Sequence, residues 1–257
     1  MRRLIIAGNW KMNKTVAEAI DMANGLNRNF PDDPGLDIVV CPAYTALSET
    51  GNILQDSVIG LGAQDMYWQD SGAFTGEISP LMLKELGVKF VVLGHSERRQ
   101  FFGETNESVN KKVKAAVKHG FIPIMCVGEK LEERKSGKTF DVIKEHIELG
   151  LEGLMIEAPE NIVIAYEPVW AIGTGVNATP IQAQEAHFYI RKLLTKTFDS
   201  IFAQSIRIQY GGSVKSENME ELMNQEDVDG ALVGGASLDL NSFTEIIKKA
   251  QKVVTGK

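Results

Sequence analysis

Apolar and β-branched residues recur along this chain in short runs, each followed by a longer stretch in which charged and apolar positions alternate at helical spacing. The runs are Leu4–Gly8, Asp37–Cys41, Val58–Ala63, Phe90–Leu93, Ile122–Val127, Ile162–Tyr166, Ile206–Tyr210 and Gly230–Val233. They lack the polar alternation of half-exposed strands and so predict strands buried on both faces. Between them stand helix signals. Thr15 with Glu18 reads as a capping box, Ser79-Pro80 as an N-cap followed by proline at the first helical position, and Thr179-Pro180 with Gln182 combines both. Asn110–His119 and Asn241–Val253 carry the helical period itself.

Eight strand-then-helix units in 257 residues average about 32 residues each, the size of a βα repeat. Alternation of this kind makes an α/β protein with a parallel sheet, and eight units fit a closed (β/α)8 barrel. An open doubly wound sheet is the alternative, because periodicity does not report closure. No linker or low-complexity segment interrupts the chain, so residues 1–257 read as a single domain.

Apolar residues make up 44% and charged residues 24%, ordinary values for a globular protein, and the net charge is −7 with no basic stripe. Nucleic acid and anionic membrane are therefore poor partners. The apolar stretch near the N-terminus is too short for a signal peptide, and no run is long enough to span a bilayer. Cys41 and Cys126 both sit inside apolar runs and read as buried free thiols, which fits a reducing, cytoplasmic setting.

In either α/β architecture, ligands bind beyond the C-terminal ends of the strands. The residues there are Asn9-Trp10-Lys11, Gln64-Asp65, His95-Ser96-Glu97, Glu167, Gly211-Gly212-Ser213 and Gly234-Gly235. The two glycine pairs follow strands seven and eight, where barrels hold phosphate and where backbone N–H groups approach an anion closely. His95 opens a helix, a position that favours the neutral imidazole. Glu167 ends an apolar strand, and desolvation there is expected to raise its pKa towards that of a base usable near neutrality. Lys11 can neutralise a developing oxyanion. His119, His146 and His187 lie in helical segments and read as structural.

Residues 168–178 form an eleven-residue loop, well beyond the usual two to six. Its stiff Pro168-Val169-Trp170 and its small Ala171–Gly175 tip suggest a lid next to the base. Gly173-Thr174-Gly175 with Ala178 imitates a dinucleotide fingerprint, but it starts too far past the strand. Ser136-Gly137-Lys138-Thr139 imitates a P-loop tail, yet Glu132 occupies the place of the first glycine. No metal-ligand spacing occurs, so neither a metal nor a cofactor is expected.

The motifs Gly8-Asn9-Trp10-Lys11-Met12-Asn13, Gly94-His95-Ser96-Glu97-Arg98-Arg99, Ala165–Gly175, Tyr210-Gly211-Gly212-Ser213-Val214 and Gly234-Gly235-Ala236-Ser237-Leu238 together resemble the triosephosphate isomerase family from end to end. The resemblance implies cofactor-free interconversion of dihydroxyacetone phosphate and D-glyceraldehyde 3-phosphate. By that resemblance Glu167 moves the proton, neutral His95 polarises the oxygens, Lys11 stabilises charge and Asn9 binds substrate. Gly173, Ser213, Gly234 and Gly235 hold the phosphate, Tyr210 and Ser213 latch the lid, and Glu97 lies near Lys11 and supports the site. This family is itself the standing example of a water-excluding lid and a neutral catalytic histidine, so both features come with the resemblance. It also implies a homodimer in which loop 64–77, with its aromatics Tyr67, Trp68 and Phe74 exposed, places Thr75 near the partner's site. Val176 stands where many relatives carry a basic residue, which bears on lid opening and not on the chemistry. Another phosphosugar isomerase, a Schiff-base aldolase and a non-catalytic phosphosugar-binding barrel are the rival readings. For the aldolase, Lys11 is the only lysine seen on the rim.

Overall fold

The structure is a computed structural model that describes residues 2–172 and 178–255. Its strands are β1 (Ile5–Asn9), β2 (Asp37–Cys41), β3 (Ile59–Ala63), β4 (Phe90–Leu93), β5 (Ile122–Val127), β6 (Val163–Tyr166), β7 (Arg207–Tyr210) and β8 (Gly230–Val233). Each pairs in parallel with its neighbours in chain order, and β1 pairs with β8 through Ile5↔Gly230 to Gly8↔Val233. The sheet is therefore a closed eight-stranded barrel, and the open-sheet alternative is excluded. Strand bounds differ from the sequence reading by at most one residue at an end. In β1 the frame moves to include Asn9, which is buried and hydrogen-bonded like the strand before it.

The absence of polar alternation has a physical basis in two separate cores. Ile5, Ala7, Val39, Val92, Cys126 and Ala165 belong to one buried cluster, whereas the intervening Ile6, Val40, Val91, Val127 and Ile164 belong to another that includes the helices. Successive side chains point to opposite faces, so the first cluster fills the barrel and the second glues helices to its outside. The same parity carries Asn9, after Ile5 and Ala7, and Glu167, after Val163 and Ala165, to the inner rim.

The helices begin where the caps indicate. Thr15 and Thr179 form capping boxes with Glu18 and Gln182, and the Ser79 hydroxyl accepts the Met82 N–H ahead of Pro80–Glu85. The helix read at Asn110–His119 starts a turn earlier, at Asn106, because Thr105 and Ser108 cap it reciprocally. Cys41 and Cys126 are buried and free, and burial pushes the Cys41 thiol up to about 12. Among the described residues no helix is long and apolar enough to cross a membrane.

Candidate active site

Past β4, Gly94 adopts φ +72°, a left-handed conformation that only glycine takes at low cost. The turn delivers His95 as the N-cap of the helix Ser96–Phe101. His95 Nδ1 accepts the Glu97 N–H at 3.2 Å, so the other nitrogen, Nε2, is the one left to carry the ring proton. Nε2 lies 3.0 Å from Glu167 Oε1.

Glu167 is buried, and its other oxygen accepts the Ser96 N–H at 2.9 Å. The expected rise in its pKa does not occur. Burial does raise it, but the charge of His95, the hydrogen bonds from His95 and Ser96 N–H, and the charge of Lys11 together hold the carboxyl below the ordinary value. His95 moves in the opposite direction. Burial lowers it, but the Glu167 carboxylate outweighs burial and raises the net value. The acceptor role of Nδ1 selects the neutral ring, with its proton on Nε2 facing Glu167.

Lys11 approaches from β1. Its ammonium pairs with Glu97 Oε1 at 2.6 Å, and its backbone sits at φ 53°, a costly conformation for a residue with a side chain. Two groups hold it there: Asn9 Oδ1 accepts its N–H at 3.1 Å and Gln64 Nε2 donates to its carbonyl at 2.9 Å. Gly211 closes the wall behind the base, since a Cβ there would lie 2.9 Å from Glu167 Cγ.

These groups face one cavity of about 310 Å³. Asn9, Lys11, His95, Glu97 and Glu167 line it together with Gly211, Gly212, Ser213, Gly234 and Gly235. Tyr210 does not line the cavity; it is fully buried in the outer cluster, its hydroxyl pushed up to about 12 by burial against a smaller opposing effect of the Ala178 N–H. Thr75 does not line the cavity. It is exposed on loop 64–77, where Tyr67 stacks on Trp68 at 3.9 Å and packs against Phe74 at 4.5 Å. That stacking leaves the three aromatics half-buried, not exposed as the sequence suggested.

Two contributors escaped the sequence reading. Gln64 was on the rim without a role. Glu129, fully buried after β5, accepts from the Tyr166 hydroxyl at 3.1 Å, Trp170 Nε1 at 2.8 Å and Arg134 at 3.1 Å. It ties the start of loop 168–178 to the barrel, and its place on the rim just past β5 is the sequence signal that marks it. Gly173 and Val176, with the rest of the loop tip and its dinucleotide-like glycines, lie outside the described residues. Gly137 turns between the helices Leu131–Lys135 and Thr139–Gly150 and follows no strand, which removes the P-loop resemblance. His187 is wedged beside Tyr166 and Tyr210, and burial lowers it to about 4, while His146 falls to about 3 for the same reason. Among the described residues no group of three acidic, histidine or cysteine side chains could hold a metal ion.

A site that pairs a buried carboxylate and an imidazole with two glycine loops on one barrel rim can be set against known proteins. Residues 4–250 match the triosephosphate isomerase family model. The chain belongs to the triosephosphate isomerase family. The triosephosphate isomerase of Alkaliphilus metalliredigens is 54% identical over 247 residues, covering 96% of this chain and 99% of its own. That of Carboxydothermus hydrogenoformans is also 54% identical, over 248 residues with the same coverage, and that of Dictyoglomus thermophilum is 52% identical over 255 residues, 96% of this chain and all of its own. Membership in this family makes the chain an isomerase on a TIM barrel.

Proposed function

We propose that the site interconverts dihydroxyacetone phosphate and D-glyceraldehyde 3-phosphate through an enediolate, with Glu167 as the base. The observation that carries the reading is the 3.0 Å approach of Glu167 Oε1 to His95 Nε2 at the wall of a cavity that also holds Lys11. The Glu167 carboxylate leaves the Ser96 N–H, takes a proton from C1 of the ketose and becomes the neutral acid. The electron pair moves onto the carbonyl oxygen, where the His95 Nε2–H and the Lys11 ammonium stabilise the charge. A proton passes between the two oxygens through His95, and Glu167 returns its own to C2. The base needs no elevated pKa at rest, because a carboxylate kept ionised is ready to accept.

Asn9 hydrogen-bonds the substrate, and Glu97 orients Lys11. Gly173, Ser213, Gly234 and Gly235 hold the phosphate through backbone N–H groups. Loop 168–178 closes over the site, with Tyr210 and Ser213 as its latch, and keeps water from the enediolate. No metal or cofactor takes part, and the protein works in the cytoplasm.

The chain acts as a homodimer through loop 64–77, with Thr75 reaching the partner's site. Support comes from the exposed apolar side chains of Met12, Phe101 and Phe102, and from Arg98, which stacks on Phe102 and pairs with Asp65 at the root of the loop.

The test is turnover of glyceraldehyde 3-phosphate in heavy water with no added metal or cofactor. Dihydroxyacetone phosphate carrying deuterium at C1 supports a solvent-exchanging base and an enediolate. Turnover without any exchange contradicts that step. Sedimentation of a species twice the chain mass of 28.3 kDa supports the dimer.

A further inference from the structure

The cavity that holds the reacting groups is lined by two cations and two carboxylates, Lys11 and Lys215 against Glu97 and Glu167. They cancel, in a protein whose net charge is −7. Lys11 is engaged at 2.6 Å by Glu97. Lys215 pairs with no carboxylate among the described residues, and this exposed residue lines the same cavity as Ser213, Gly234 and Gly235. Its own helix supplies Glu217, Glu220 and Glu221; Glu220 is taken by Lys249 at 3.0 Å, and neither Glu217 nor Glu221 forms an ion pair with Lys215.

The placement works against local stability. Lys215 is the N-cap of the helix Ser216–Met223, where the backbone dipole is already positive and a cation is unfavourable. It offers no side-chain oxygen to the first turn; Asn218 caps the Lys215 N–H instead, at 2.9 Å. What the position does supply is a charge with no ion-pair partner among the described residues on the wall of the cavity.

We infer that Lys215 is a steering residue that draws the phosphate end of the substrate into the cavity and offsets the negative field of the protein. This rests on the reading above that phosphate lies between Ser213 and Gly234-Gly235. Lys215 acts on encounter and binding, and the chemical step does not depend on it. Fields of this kind raise association rates and fade with salt, as the screening length shrinks from about 30 Å at 0.01 M to about 3 Å at 1 M.

The experiment measures kcat, KM and inhibition by inorganic phosphate at low and high ionic strength for the full chain and for Lys215→Gln, Lys215→Arg and Lys215→Glu. In Lys215→Gln, kcat/KM is expected to fall roughly three- to tenfold at about 0.01 M salt and less than about twofold at 0.5 M, with kcat unchanged and phosphate inhibition weakened in parallel. Arginine restores the salt dependence, glutamate deepens the loss, and melting temperature does not fall in the glutamine variant. A glutamine variant with wild-type salt dependence and wild-type phosphate inhibition overturns the inference. Ser213→Glu separates the two readings, since a carboxylate there must abolish phosphate inhibition if phosphate binds beside it. If inhibition survives Ser213→Glu, the phosphate assignment fails and takes Lys215 with it. If it is lost there but untouched in Lys215→Gln, only the role of Lys215 fails.

Discussion

The side-chain amide of Gln64 donates to the backbone carbonyl of Lys11 at 2.9 Å and, from the same nitrogen, to that of Cys41 at 2.9 Å. One amide therefore bridges the ends of β1 and β2 and holds Lys11 at φ 53°. Gln64→Leu removes the side-chain donor from the Lys11 carbonyl, leaves the Cys41 carbonyl with the Trp10 N–H at 3.1 Å, and frees the strained residue to relax. The expected result is about 1–3 kcal/mol of lost stability and a fall in kcat/KM of roughly ten- to a hundredfold, read from urea unfolding and steady-state kinetics on the same preparation. Loss of stability with unchanged kcat/KM would mean that Lys11 does not need the support.

Gly211 stands against the base. Gly211→Ala puts a methyl group 2.9 Å from Glu167 Cγ and 3.2 Å from the Tyr166 carbonyl. The carboxylate must shift, and a misplacement of this kind is expected to lower kcat by about a hundredfold. Steady-state kinetics of that variant check it.

Glu129 anchors the first part of loop 168–178 through Trp170 and Tyr166. Glu129→Leu takes from the buried Tyr166 hydroxyl the carboxylate that accepts its proton and breaks the tie between residue 129 and the Trp170 indole, at a cost of about 1–3 kcal/mol. Tryptophan fluorescence is expected to shift to longer wavelength as Trp170 loosens, with kcat and KM changing together.

Buried histidines make the fold acid-sensitive. The folded-state pKa of His187 is about 4, below its ordinary 6.5, so between these values the unfolded chain binds a proton that the native one refuses. Stability from this group is complete above pH 6.5 and is lost as pH falls towards 4, at up to about 1.4 kcal/mol per pH unit. His146, at about 3, acts in the same direction. Asp65, raised by burial to about 6, opposes them, because there the native state holds the proton. Urea midpoints at pH 7 and pH 5 are expected to differ less in His187→Asn than in the wild type.

Much of this site could be read from residue order because strand parity is local. Once Ile5 and Ala7, or Val163 and Ala165, are assigned inward, Asn9 and Glu167 follow on the same face. Groups that act through distant backbone stayed hidden. Nothing near Gln64 in sequence announces a bond to the carbonyl of Lys11, 53 residues away. Glu129 serves Trp170 across 41 residues. The Glu167 pKa is lowered where the strand alone predicts a rise, for the same reason. Desolvation follows from one apolar strand, but the opposing Ser96 N–H and His95 arrive from another.

The most direct test of Glu167 as the base is Glu167→Gln, which keeps the shape and removes the proton acceptor. Its kcat is expected to fall by about 10²–10⁴ while inhibition by inorganic phosphate stays nearly unchanged. A variant that turns over glyceraldehyde 3-phosphate at close to the wild-type rate would contradict the assignment.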